Sequence, residues 1–165
     1  MSVYEQIIQL LNSHNIKYQS LQHEPTPTCE DSARVRGTSS DQGAKALICY
    51  ADKNPILIVL PCSRKLDAKL FKSIFNVKDL RFATPAEVTQ LTNLQIGAIP
   101  PIGSVLGLPV YVDNSLSLNI QIAFNAGDRT RSIIMPCSDY LNLTKPILGN
   151  FVSSSATSTA NPPLS

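Results

Sequence analysis

The sequence predicts an α+β domain built on a mixed β-sheet flanked by helices, and three observations carry that prediction. Apolar runs of strand length recur along the chain: Lys45 to Ala51, Pro55 to Pro61, Pro109 to Asp113, Asn119 to Phe124 and Ser132 to Met135. Helical periodicities lie between and outside these runs without the regular strand–helix alternation of a doubly wound parallel sheet. A length of 165 residues with 43% hydrophobic content suits one domain with a sizeable core.

The elements follow in order. Ser2 and Glu5 have the spacing of a capping box, and Val3, Tyr4, Ile7, Ile8, Leu10 and Leu11 keep helical period up to Asn12–Asn15. A short strand is expected around Ile16 to Leu21. His23 to Thr28 reads as extended loop, because each proline disfavours helix in the residue before it. Thr28 and Asp31 cap a short helix that Gly37 closes. The strands Lys45–Ala51 and Pro55–Pro61 are joined by the turn Asp52-Lys53-Asn54. Ile56-Leu57-Ile58-Val59-Leu60 is continuously apolar, so the second strand is expected to be covered on both faces. A helix from Lys65 to Phe75 is expected to turn Leu66, Leu70, Ile74 and Phe75 inward. Thr84-Pro85-Ala86-Glu87 starts another helix, with Thr as cap, Pro in the first turn and Glu completing the box. Asp139 to Leu143 forms a closing helix. In the strand Asn119–Phe124, Ile120, Ile122 and Phe124 alternate with Gln121 and Ala123, which predicts one less buried face.

The expected domain covers residues 1–148. The Ser/Thr/Pro-rich stretch 149–165 has too little apolar surface to offset ordering and is expected to be a disordered tail.

Composition excludes several function classes. Charged residues make up 16%, against a typical value of about 25%, and net charge is only +2. The chain is therefore no basic nucleic-acid coat, and any RNA contact has to be local. No apolar run reaches the roughly 20 residues needed to cross a bilayer, and Met1 to Gln6 lacks the basic and apolar regions of an export signal. Cys29, Cys49, Cys62 and Cys137 are scattered, with no Cys-x-x-Cys. Reduced, structural thiols in a cytoplasmic protein are the expectation, with Cys49 and Cys62 as small buried hydrophobes.

The two histidines, His14 and His23, have no Ser or Cys partner at a recognisable spacing. Gly-x-Ser-x-Gly, His-Glu-x-x-His and P-loop motifs are absent, which disfavours triad, zinc and nucleotide hydrolysis. His14 sits at a helix end, suited to a solvated role against the dipole.

Three segments could instead form a site for an anionic ligand. Lys45 opens an apolar strand; it either snorkels to water or presents a point charge to a phosphate. Gly97-Ala98-Ile99-Pro100-Pro101-Ile102-Gly103 is either a structural turn or a stiff loop whose amides approach a ligand closely. Asn125-Ala126-Gly127-Asp128 is either a polar hairpin turn or part of a pocket.

Together these segments resemble the YbaK/prolyl-tRNA synthetase-associated editing domain family over about Val3 to Leu143. The resemblance rests on His23 and Ala33, Gly43-Ala44-Lys45-Ala46-Leu47, Leu80 to Val88, Gly97 to Gly103, Phe124-Asn125-Ala126-Gly127 and Asp139-Tyr140. It implies a barrel-like mixed sheet and hydrolysis of the ester joining a wrong amino acid to tRNA, with no cofactor or catalytic metal. Lys45 would hold the terminal nucleotide, while Gly97 and Pro101 frame the loop that positions carbonyl and water. His23, Ala98, Ile99, Pro100, Gly103, Asn125, Gly127 and Asp128 would line the substrate. The implied partners are the acceptor end of aminoacyl-tRNA and a synthetase that recruits the protein. Some members that edit alanyl-tRNA carry a histidine in the later glycine segment; Asn125 to Arg129 has none, and Ile102 stands where Phe is common. Two other classes fit the same residues: a noncatalytic module for RNA ends or nucleotides, and a hydrolase of small esters.

Overall fold

The computed structural model describes residues 1–153. Helix α1 (Val3–Ser13) begins in the expected capping box: Ser2 Oγ accepts from the Glu5 N–H, and the Glu5 carboxylate accepts from the Ser2 N–H. Strand β1 (Gln19–Gln22) leads through the proline loop to α2 (Cys29–Arg36), which opens on Thr28 and ends at Gly37 with φ 71°. β2 (Ala44–Ala51) and β3 (Asn54–Pro61) form an antiparallel hairpin. Its turn residues Asp52 and Lys53 both have positive φ, which matches the right-handed twist of paired strands. Then follow α3 (Ala68–Phe75), β4 (Leu80–Phe82), α4 (Pro85–Thr92), β5 (Val110–Asp113), β6 (Gln121–Asn125), β7 (Arg131–Pro136), α5 (Cys137–Thr144) and β8 (Ile147–Gly149).

The mixed sheet of the sequence reading is present as two sheets. Five strands run in the order β4-β2-β3-β5-β8, with β3/β5 and β5/β8 parallel, and three antiparallel strands run β1-β7-β6. A single parallel bridge between Gly43 and Ala123 links them. The expected barrel-like closure is corrected: among the described residues β4 and β8 stay as edges and no ladder completes the circle.

Alternation along β2 and β3 separates two cores. Ala44, Ala46, Ile48, Leu57 and Val59 face the main one, with Ile7 and Leu11 of α1, Phe124 of β6 and Tyr140 of α5. Leu47, Cys49, Ile56, Ile58 and Leu60 face the other, against Phe71 and Phe151. β3 is thus covered on both faces, as its apolar run requires.

Several expectations change. Helix α3 starts later, capped by Asp67, and turns Phe71 inward (0% exposed), while Leu70 and Ile74 are 38% and 44% exposed. Phe71 meets Phe75, Tyr111 and Phe151 with ring centroids 4.7–5.2 Å apart, and this aromatic contact sets the helix face. Ile120 lies outside the β6 ladder and is exposed, whereas Ala123 is buried; both faces of β6 are therefore covered. The expected boundary at 148 moves outward, because Phe151 is buried, its N–H donates to Asp113 Oδ1 at 2.6 Å, and Val152 bridges Leu66. The rest of the expected tail, 154–165, lies outside the described residues. Finally, Cys29 and Cys62, read as reduced thiols, form a disulfide with Cα atoms 5.7 Å apart. It ties α2 to the residue after β3, a proximity that only the tertiary fold creates. Cys49 and Cys137 are free and buried; burial pushes the Cys49 thiol up to about 12, far from a reactive thiolate.

Candidate active site beneath helix α2

Lys45 is the second residue of β2 and pairs with Leu60. Its side chain leaves the strand on the face of Leu47 and Cys49, away from the main core. It is only 2% exposed, and Nζ donates to the Arg64 carbonyl at 3.1 Å. Burial draws its pKa down to about 8, opposed by the carboxylate of Glu30. This lies well below an ordinary lysine, yet at pH 7 the ammonium still outnumbers the amine by about ten to one. The parallel bridge between Gly43 and Ala123 sets the register of β2 beside β6. Lys45 and Asn125 each lie two residues past that bridge, on β2 and β6.

Asn125 belongs to a buried polar chain that α2 completes. Arg36, in the last turn of α2 and 9% exposed, donates through Nε to Ser132 Oγ at 2.9 Å and through Nη2 to Asn125 Oδ1 at 2.9 Å. Asn125 Nδ2 in turn donates to the Gly97 carbonyl. On the far side, His23 Nε2 lies 2.7 Å from Ser132 Oγ, and His23 Nδ1 lies 2.7 Å from the Glu24 carbonyl oxygen. Burial lowers the Arg36 pKa to about 10, which leaves the guanidinium charged at neutral pH.

The loop after α4 carries Gly97 at φ 94°, a backbone conformation that L side chains resist. Residues 97–103 are all buried. The Ala98 N–H donates to the Gln95 carbonyl at 3.0 Å, and Tyr140 Oη donates to the Pro101 carbonyl at 2.5 Å. Pro100 and Pro101 have no N–H. The N–H groups of Gly97 and Ile99 find no protein partner among the described residues. Gly103 has a packing reason: a Cβ there would lie 2.2 Å from the Leu108 carbonyl oxygen.

Gly127 (φ 81°) and Asp128 occupy the β6–β7 turn. A Cβ on Gly127 would meet Val3 of α1 at 2.9 Å, and Asp128 Oδ1 accepts from the Thr130 N–H and hydroxyl. The Thr130 hydroxyl, then its amide, hold the Asp128 carboxyl below the usual range. A cleft of about 380 Å³ opens between the Gly97 loop and this turn, lined in part by Pro25, Ala98, Gly127 and Asp128.

The structure therefore joins His23, Asn125 and Gly97 in one bonded chain and sets Ala98, Gly127 and Asp128 on one cleft, while Lys45 bonds to the Arg64 carbonyl. Arg36 and Ser132 were missed. Arg36 in the last turn of a helix reads as a partner for the dipole, and Ser132 as the polar start of a strand, so neither carries a local signal. Among the described residues no three His, Cys, Asp or Glu side chains converge as a metal site, and no helix is long and apolar enough to cross a membrane.

A mixed α+β frame with a buried strand lysine and a buried Gly/Pro loop defines a class, and the model of the aminoacyl-tRNA editing domain matches residues 23–143: the chain belongs to that family. ProXp-y, a multifunctional Ser/Thr-tRNA deacylase of Escherichia coli (strain K12), is 34% identical over 153 residues, covering 90% of this chain and 92% of that protein. A proline–tRNA ligase of Solidesulfovibrio magneticus is 40% identical over 75 residues, which are 45% of this chain but 13% of the ligase. Among solved structures, a candidate trans-editing enzyme for prolyl tRNA synthetase superposes with a TM-score of 0.79 at 24% identity, over 93% of this chain and 99% of that one. That last likeness is one of fold.

Proposed function

We propose that this chain is an editing hydrolase that removes wrongly attached amino acids from tRNA, with residues 1–153 as the catalytic domain. The observations that carry this reading are a buried ammonium, Lys45, and a buried Gly/Pro loop whose Gly97 and Ile99 N–H groups find no partner among the described residues. A buried cation whose hydrogen bond goes to a neutral carbonyl, with the Glu30 carboxylate offsetting only part of the cost of burial, gains from a further anion. The terminal nucleotide of tRNA supplies that anion as phosphate, which Lys45 meets as a point charge. The Gly97 and Ile99 N–H groups then face the aminoacyl carbonyl, where negative charge develops as water attacks. The ester C–O bond breaks, the amino acid leaves as a carboxylate, and the ribose oxygen takes a proton. The terminal ribose hydroxyl of the substrate assists in activating the water. An aminoacyl ester is already reactive, so positioning and backbone electrostatics suffice.

Similarity to a Ser/Thr-tRNA deacylase makes seryl and threonyl esters on mismatched tRNA the first substrates to test, and a prolyl-tRNA synthetase the first candidate for recruitment. The assay measures amino acid release from a panel of mischarged tRNAs by the wild type and Lys45→Ala. Strong release by the wild type and its loss in the variant are expected. Equal rates for both remove the anchoring role of Lys45. Binding of the acceptor end without turnover, or equal turnover of free aminoacyl esters, replaces the proposal with a binding module or a general esterase.

A further inference from the structure

We infer that Arg36 and Asn125 form a positioning pair that holds the Gly97 carbonyl, and with it the Gly97–Pro101 loop, in reactive geometry. The inference rests on the deacylase reading above and deepens it. Neither residue touches substrate in this account; both act through the loop backbone.

Proton bookkeeping supports the pair. A primary amide can present oxygen or nitrogen to either neighbour, and shape barely distinguishes the two orientations. Arginine has donors only, so its Nη2 facing Asn125 at 2.9 Å forces Oδ1 toward it. The Asn125 NH2 is then left facing the Gly97 carbonyl, which is only an acceptor. The rest of the chain agrees. The Glu24 carbonyl can only accept, so His23 donates to it from Nδ1. Ser132 Oγ accepts the Arg36 Nε–H and lies 2.7 Å from His23 Nε2 and 3.3 Å from Asn125 Oδ1, both within reach of its own proton. From Glu24 to Gly97 each donor meets an acceptor, and the guanidinium sets the direction of the chain.

The consequence falls on the loop. Gly97 sits at φ 94°, so its peptide plane is not enforced by ordinary backbone preference. Asn125 grips the carbonyl end of the 97–98 peptide while the Ala98 N–H at its other end donates to Gln95. With this plane pinned at both ends, the N–H groups of Gly97 and Ile99 on either side are aimed. Released from Asn125, the plane is free to rotate and those N–H groups lose their aim. A displacement of about 1 Å at such donors can cost about 100-fold in rate.

Arg36→Gln, Asn125→Ala and the double variant are compared with the wild type in steady-state deacylation of a mischarged tRNA. Each single variant should lose about 10- to 100-fold in kcat with little change in KM, and the double variant should be no slower than the slower single. Losses that multiply in the double variant, or a rise in KM at unchanged kcat, overturn the pairing, the latter by making Asn125 a substrate contact. The wild type alone provides a second arm, independent of whether variants fold: the Asn125 side-chain amide protons should be protected from solvent exchange by NMR in the substrate-free protein. Rapid exchange overturns the inference. A wild type without deacylase activity overturns the functional reading, while the exchange measurement still decides the Asn125–Gly97 contact.

Discussion

One face of β2 has two halves, and they are built on opposite principles. Toward its C-terminal end Leu47, Cys49 and Ala51 meet the aromatic cluster of Phe71 and Phe151 under α3. Toward its N-terminal end Lys45 is buried two residues past the bridge to β6, the strand whose Asn125 is bonded to Arg36 of α2. The first half is held by apolar burial, which has no direction and tolerates exchange of shapes. The second is buried just as deeply but is held by directional bonds, where removal of one partner strands another. On the function proposed here, the same strand supplies stability at one end and chemistry at the other.

The sharpest test of that division is to break the apolar half. Phe71→Ala should cost about 3–5 kcal/mol in urea unfolding, and kcat of the remaining folded protein should change little. A cost below about 1 kcal/mol would show that the aromatic cluster is not the stabilising half. Joint replacement of Cys29 and Cys62 by serine opens a link spanning 33 residues and should cost roughly 3–4 kcal/mol. Because the link anchors the helix that carries Arg36, activity should fall too; full activity after reduction would separate α2 from the site.

Lys45→Ala should do the reverse of Phe71→Ala. Loss of a buried cation whose burial the Glu30 carboxylate only partly offsets should leave Tm unchanged or higher, while kcat/KM falls about 30- to 1,000-fold, the scale for truncating one partner of a buried charge contact. A large drop in Tm would class Lys45 with the structural half.

The pH dependence carries the same contrast in sign. The Lys45 pKa is about 8 in the folded protein, below the ordinary lysine value of 10.5. Below pH 8 both states hold the proton, and the cost of burying the charge is fully present. From about pH 8 to 10.5 the folded state releases its proton first, so this group adds stability as pH rises. The ammonium that grips phosphate disappears over the same interval, so kcat/KM should decline above about pH 8. A flat rate profile from pH 7 to 9.5 would exclude the charged anchor. The smallest effect is expected at Ile74, on the exposed side of α3: Ile74→Ser should stay within about 0.5 kcal/mol of the wild type, against the large loss at Phe71 one turn away.

Local rules made much of this molecule legible. Ser2 with Glu5 and Thr84 with Glu87 both form the capping boxes their spacing announces. Gly37 ends α2 in the left-handed conformation, and Asp52-Lys53 turns the central hairpin. Lys45, Gly97 and Asn125 stood out because a cation, a glycine and an amide are unusual beside apolar strands. Their neighbours did not. Phe71 rather than Leu70 faces inward because Tyr111 and Phe151 wait for it. The three-residue strands β4 and β8 exist through their partners, and Arg36 looks like any cation in a last helical turn.

Sequence by itself therefore determined the longer elements, the mixed architecture and the family, since caps, turns and hydrophobic period act over a few residues. Tertiary structure alone decided that the sheets stay open, that Cys29 meets Cys62, and that Arg36 reaches Gly97 through Asn125. Those outcomes depend on contacts between residues as much as 89 positions apart, as Arg36 and Asn125 are, and no local pattern encodes which distant partners will meet.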